Sequence, residues 1–166
     1  MHNGHLAGSP PGVHIRKGSL ADLDTLWDLE NRVFQTDRMS RRSLRRLLGA
    51  RSAAALVAQM DTPAAEGMVV GAAMVLFRAN SDIARLYSLA VAPPYTGRGI
   101  ALALLAAAEA TAQSRCCALL RLEVHENNHG AINVYRKAGY HEFGRHDAYY
   151  EDRGHALRFQ KMLAGG

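Results

Sequence analysis

At 166 residues the chain has the size of one domain and can bury a core without disulfide or metal staples. Its 48% apolar and 21% charged residues are ordinary for a soluble globular protein, and no stretch approaches the roughly 20 uncharged apolar residues of a membrane span. The formal charge of +5 favours anionic partners without choosing among phosphorylated cofactors, RNA surfaces and acidic peptides, while the adjacent Cys116 and Cys117 support neither an unstrained disulfide nor a zinc site, which fits a reducing cytoplasm.

Residues 1–12, MHNGHLAGSPPG, lack the basic and apolar regions of a signal peptide and read as a flexible tail, leaving residues 13–166 as a single domain. Val13 to Arg16 alternates as a strand. Ser19 with Asp22 three residues on resembles a capping box, opening a helix whose Leu23, Leu26, Leu29 and Val33 share one face. Ser40 caps a second helix that stops near Gly49; Leu44, Leu47 and Leu48 form its apolar stripe, and Arg41, Arg42, Arg45 and Arg46 crowd the other side. AALVAQM and MVVGAAMVLF, joined by a turn at Asp61, Pro63 and Gly67, are antiparallel strands, and IARLYSLAV continues the meander after Asn80, Ser81 and Asp82.

Gly99 to Ser114 is Ala- and Leu-rich, a strong helix former, and CALLRLEV after it is β-like, so this strand-helix-strand crossover implies a parallel pair. Asn128 to Ala138 is a further helix ending at Gly139, and FGRHDAYY and HALRFQKML supply two final strands around the Asp152 and Gly154 turn. The expected fold is α/β, a mixed sheet of about seven strands flanked by about four helices. Its parallel pair lies around the loop at residues 92–99, where open sheets bind ligands.

Tyr95, Thr96, Gly97, Arg98, Gly99, Ile100 and Ala101 join strand to helix, so backbone N–H groups and the helix dipole converge on an anion there. The segment is neither a Walker loop nor a full G-x-G-x-x-G fingerprint, and taken alone it reads as a tight turn where strand meets helix. Period-2 alternation puts Leu120, Leu122 and Val124 on one face of their strand and Leu119, Arg121, Glu123 and His125 on the other. Glu123 is thus a carboxylate beside the parallel seam, either a salt-bridge partner or a base. Asn128 suits a helix cap and also a contact to an amide-bearing ligand. Tyr135 shares a helical face with Ala131 and Ile132, as a core tyrosine with its hydroxyl at the edge or as an acid.

LYSLAVAPPYTGRGIALALL resembles the strand and pyrophosphate loop of the GNAT superfamily of N-acetyltransferases, usually Gln or Arg, two residues, Gly, one residue, then Gly or Ala; here Thr96 stands at the first position. LEVHENNHGAINVYRKAGY is similar to the family's Asn, two residues, Ala, three residues, Tyr, three residues, Gly-aromatic signature, matched by Asn128, Ala131, Tyr135, Gly139 and Tyr140. The branch it most resembles is the ribosomal-protein alanine N-acetyltransferases, whose base glutamate precedes their acid tyrosine by the interval from Glu123 to Tyr135. The resemblance implies acetyl-CoA as cosubstrate with no metal. It also implies pantetheine contacts at Leu89, Ala90 and Val91, pyrophosphate contacts at Gly97, Arg98, Gly99, Ile100, Ala101 and Leu102, and an acetyl-CoA contact at Asn128. Glu123 and Tyr135 are then base and acid. Tyr149 and Tyr150 match a Tyr-Tyr pair near the incoming peptide in that branch, but Phe34 to Ser40 departs from the branch's Phe-Pro-Trp-Ser in the region that shapes the acceptor pocket.

With reference pKa values near 7.8 for an α-amine and 10.4 for lysine, the neutral fractions at pH 7 are roughly one in seven and one in 2,500, a gap of about 3.5 kcal/mol. The expected acceptor is therefore a protein or peptide amino terminus. A small-molecule amine or a lysine is the alternative within the superfamily, and the arginine-rich helix leaves a basic, non-catalytic RNA- or acidic-protein-binding module as the alternative of another class. A membrane partner is not expected, nucleic acid is disfavoured, and a homodimer is compatible with the superfamily.

Overall fold

Seven strands form one sheet in the order β1-β2-β3-β4-β5-β7-β6: β1 (Val13–Lys17), β2 (Ala53–Met60), β3 (Val69–Leu76), β4 (Ile83–Val91), β5 (Leu119–His125), β6 (His141–His146) and β7 (Ala156–Met162). This computed structural model describes residues 9–163; residues 1–8 of the expected tail, and residues 164–166, lie outside the described residues. Every neighbouring pair is antiparallel except β4 and β5. Among the described residues four α-helices accompany the sheet: α1 (Leu23–Val33), α2 (Arg41–Leu48), α3 (Ile100–Ser114) and α4 (His129–Lys137).

The local signals explain where these elements start. Asp22 accepts the Ser19 N–H at 2.9 Å and pairs with Arg16 at 2.7 and 3.0 Å, fixing the short 3-10 turn that runs into α1. The guanidinium of Arg16 holds the Asp22 carboxyl below its ordinary value. Ser40 accepts the Ser43 N–H and caps α2. One face of the sheet buries Ala53, Ala55, Val57 and Met74 against Leu23, Leu26 and Leu44 of α1 and α2. The other buries Leu56, Val75, Leu86, Leu120 and Leu122 against Leu104, Leu105 and Ala108 of α3 and Ile132 and Tyr135 of α4. Leu104 is fully buried, and each such leucine stabilises the fold by about 1.5–3 kcal/mol.

Two irregularities position the site. Between β3 and β4 the register shifts, with Ser88 opposite Met74 and Leu86 opposite Val75, so Tyr87 is an extra residue in β4. The parallel ladder of β4 and β5 pairs only Ile83 to Leu86 with Leu119 to Leu122. Beyond Leu86 the two strands part, and among the described residues the β5-facing edge of Tyr87 to Val91 has no strand partner.

FGRHDAYY, expected as one strand, belongs to the sheet only as far as His146. Ala148 takes φ 48°, and the N–H groups of Tyr149 and Tyr150 turn to the Gly154 carbonyl at 3.1 and 3.3 Å instead of a ladder partner. The two tyrosines therefore sit in the β6–β7 loop, not in an ordinary strand pair.

Candidate functional site

A cleft of about 470 Å³ opens where β4 and β5 part. Its walls come from β4 (Arg85 to Leu89), the end of β5 (Glu123 to His125), α4 with its cap (Asn128, Ala131, Tyr135), the α1–α2 connection (Phe34, Thr36, Asp37, Arg38) and the β6–β7 loop (Tyr149, Tyr150). Glu123, Asn128, Tyr135 and Leu89, singled out by sequence, thus share one cavity.

Glu123 is held rather than free. Its side chain is only 11% exposed, with Oε2 accepting Arg85 Nε at 3.0 Å and Oε1 lying 3.7 Å from Arg158 Nε. Glu123 is therefore an ion-pair partner, as one reading from sequence has it, and it also faces the cleft. Asn128 likewise caps α4, its Oδ1 accepting the Ala131 N–H at 3.2 Å, while lining the same cavity. Tyr135 is buried against Tyr140 in an edge-to-face contact, and burial pushes its phenol above the ordinary value of 10.0. Among the described residues its hydroxyl has no hydrogen-bond partner, which leaves it available to a ligand in the cleft.

The loop after β4 forms a second, contiguous feature. Gly97 and Gly99 take φ of 76° and 86°, the left-handed region that disfavours any residue with a Cβ. The first helical bond of α3 runs from the Ala103 N–H to the Gly99 carbonyl, so the amides ahead of it have no helical acceptor, an arrangement that suits an anion. Thr96 Oγ donates to the Pro93 carbonyl at 3.0 Å, and Arg98 lies over the Tyr95 ring at 5.1 Å. Gly97, Arg98, Gly99, Ile100, Ala101 and Leu102 do not line the 470 Å³ cleft, nor do Ala90 and Val91. The unpaired β4 edge leads from the cleft toward this loop. The side chains of Ala90 and Ile100 are buried, so only their backbones can serve a ligand.

Several cleft residues escaped the sequence reading. Glu30 of α1 accepts the Met39 N–H at 3.0 Å, and burial raises its carboxyl. Its position four residues after Leu26, on the apolar side of α1, was the signal. Asp37 accepts the Glu151 N–H at 3.2 Å, joining the α1–α2 connection to the β6–β7 loop. His125 accepts the Asn127 N–H on Nδ1, which places its proton on Nε2 for Asp152 Oδ2 at 2.8 Å, and its ring stacks on Tyr150 at 5.0 Å. A wider depression of about 770 Å³ beside Arg16, Asp22 and Arg32 lies away from these groups, and its Arg16–Asp22 pair is already mutually satisfied. No described helix is long and apolar enough to cross a membrane, and no group of three or more His, Cys, Asp or Glu among the described residues could hold a metal ion.

Residues 20–140 match the family described as Acetyltransferase (GNAT). No curated protein sequence matches the chain significantly. The structure is similar to that of the ribosomal-protein-S18-alanine N-acetyltransferase from Escherichia coli, with a TM-score of 0.81 at 23% identity over 93% of this chain and 96% of that one. It is similar to the ribosomal-protein-alanine N-acetyltransferase from Brucella melitensis, with a TM-score of 0.76 at 26% identity over 90% and 99%. A NatC complex bound to a Gag peptide and CoA gives 0.81 at 20% identity over 92% and 99%.

Proposed function

The chain belongs to the GNAT family of acetyltransferases, and from that premise we propose that it acetylates the α-amino terminus of a protein or peptide with acetyl-CoA. The observation that carries this reading is the placement of Glu123 and Tyr135 in one cleft, at the fork where β4 presents an unpaired backbone edge. Bound acetyl-CoA supplies an acyl group on a thioester. The residues present fit it: the glycine loop and the first amides of α3 would hold the pyrophosphate, Leu89 to Val91 would hold the pantetheine arm through their free edge, and Asn128 would add an amide contact.

Backbone N–H groups along that edge polarise the thioester carbonyl as negative charge develops on its oxygen. Glu123 takes the proton of the acceptor ammonium, through a water because both carboxylate oxygens face guanidinium groups. Tyr135 delivers a proton to the departing sulfur, and its raised pKa keeps that proton in place across the neutral range. The end of the cleft lined by Phe34, Thr36, Asp37, Tyr149 and Tyr150 would take the end of a polypeptide. The larger neutral fraction of an α-amine supports the same acceptor.

The test is thiol release from acetyl-CoA against a panel of amino-terminal peptides, lysine peptides and small amines. Amino-terminal peptides should give the highest kcat/KM. Turnover confined to small amines or lysine peptides would exclude this acceptor class.

A further inference from the structure

Helices α1 and α2 pack on β2, β3 and β4 and leave the same face of β5, β7 and β6 without a helix; the β6–β7 loop covers its Glu123 and His125 end. The cross-strand register defines its side chains: Arg121 lies opposite Gln160, Glu123 opposite Arg158, and Leu119 opposite Met162, which is 76% exposed. Arg85 sits beside Arg121 on β4, and the neighbouring Tyr87 is 45% exposed. Three guanidinium groups, Arg85, Arg121 and Arg158, thus share this face with one carboxylate, Glu123. Arg85 bonds that carboxylate directly, whereas Arg158 Nε, at 3.7 Å, is too far for a hydrogen bond and is buried without a partner. Arg121 Nε donates to the neutral Gln160 Oε1 at 2.9 Å and has no carboxylate partner among the described residues. The guanidinium groups of Arg121 and Arg158 each lie over the Phe143 ring at 4.7 Å, which fixes their planes and lowers the entropy lost when they bind a further group.

We propose that this arginine-lined face binds an acidic segment of the acceptor polypeptide, two to three residues beyond the amino terminus being acetylated. The inference rests on the proposed α-amino acceptor and adds its sequence preference. The spacing supports it: Arg121 precedes Glu123 by two strand residues, about 7 Å, a distance that an extended peptide spans in about two residues. Carboxylates arriving there meet arginine forks suited to bidentate pairing. A peptide is favoured over RNA because the face is continuous with the amine cleft through Arg85, whose Nη2 donates to Tyr149 Oη at 2.9 Å, and because the Phe143 ring is already engaged by two guanidinium groups.

The experiment measures thiol release with peptides that share their first two residues and carry aspartate and glutamate, serine, or lysine at the third and fourth. The acidic peptide should show a KM about five-fold below the neutral one, and the basic peptide a KM above it. The difference should shrink in 0.5 M salt, a readout that needs no variant. Arg121→Gln should abolish the preference with the neutral peptide's kcat unchanged, and Arg121→Glu should reverse it. Peptides acetylated without regard to charge, or a preference that survives both substitutions, would overturn the docking face while leaving the amino-terminal activity intact. A wild-type enzyme active on small amines but on no peptide would sink the acceptor reading itself. An RNA oligonucleotide that displaces the acidic peptide and loses binding in Arg121→Glu would assign the face to nucleic acid instead.

Discussion

Burial removes the water that would stabilise a phenolate at Tyr135, and so raises its pKa. The acid role proposed for it should therefore show no alkaline limb from this group below about pH 10, where an exposed tyrosine begins to ionise. Tyr135→Phe should lower kcat by about 100-fold while direct titration finds acetyl-CoA affinity unchanged. The same shift has a consequence for stability. A group whose folded pKa is raised contributes stability that is complete below the unfolded value of 10.0 and lost as pH climbs above it, so thermal melts should weaken on the alkaline side of pH 10. Glu123→Gln should reduce turnover most at pH 6–7 and progressively less above pH 8, where an α-amine of pKa about 7.8 loses its own proton. It should also lower the melting temperature, because Arg85 and Arg158 lose their shared carboxylate. A purely structural Glu123 would show the stability loss with a turnover deficit that does not vary with pH. The alternation of β5 and the helical period of α4 made the orientation of both residues legible, but not their partners: Arg85 lies 38 positions from Glu123 and meets it only through the parallel register.

At the scale of elements, the glycine loop and α3 behave as one unit. The left-handed conformation at Gly99 ends the loop and starts the helix, leaving the leading amides of α3 without carbonyl partners. Gly99→Ala places a Cβ in that conformation at a cost of about 1–2 kcal/mol. The KM for acetyl-CoA should rise several-fold with the acceptor KM unaffected; equal changes in both would argue against a cofactor role for this turn. The segment was readable because strand, glycines and Ala-rich helix are contiguous. The fork in front of it was not. Its cause is the extra residue Tyr87 in β4, and nothing in IARLYSLAV marks the register shift, which depends on how β3 packs alongside. β6 shows the converse: residues with strand character at Tyr149 and Tyr150 are drawn into a loop by bonds to the Gly154 carbonyl.

Across the whole molecule, the end of the cleft proposed for the acceptor is built from segments far apart in the chain. The α1–α2 connection reaches the β6–β7 loop through Asp37 and the Glu151 N–H, and His125 fastens the same loop through Asp152. Asp37 holds φ 54°, so Asp37→Gly removes the carboxylate without straining the backbone. That variant should raise the KM for a peptide acceptor several-fold and leave both the KM for acetyl-CoA and the melting temperature nearly unchanged. An unaltered acceptor KM would mean that this loop-to-loop contact plays no part in peptide binding.

Periodicity and capping in the sequence were enough to determine the succession of strands and helices, the α/β class, the parallel crossover and the glycine turn before α3, because each depends on residues within a few positions of one another. The matched spacing of Glu123, Asn128, Ala131 and Tyr135 was local in the same way. The tertiary structure alone decided what surrounds them: the parting of β4 and β5, the two arginines on Glu123, the meeting of Asp37 with Glu151, and the gathering of arginines on β5 and β7. Those features are contacts between residues tens of positions apart, set by strand register and by which half of the sheet the helices cover, and no local pattern encodes either.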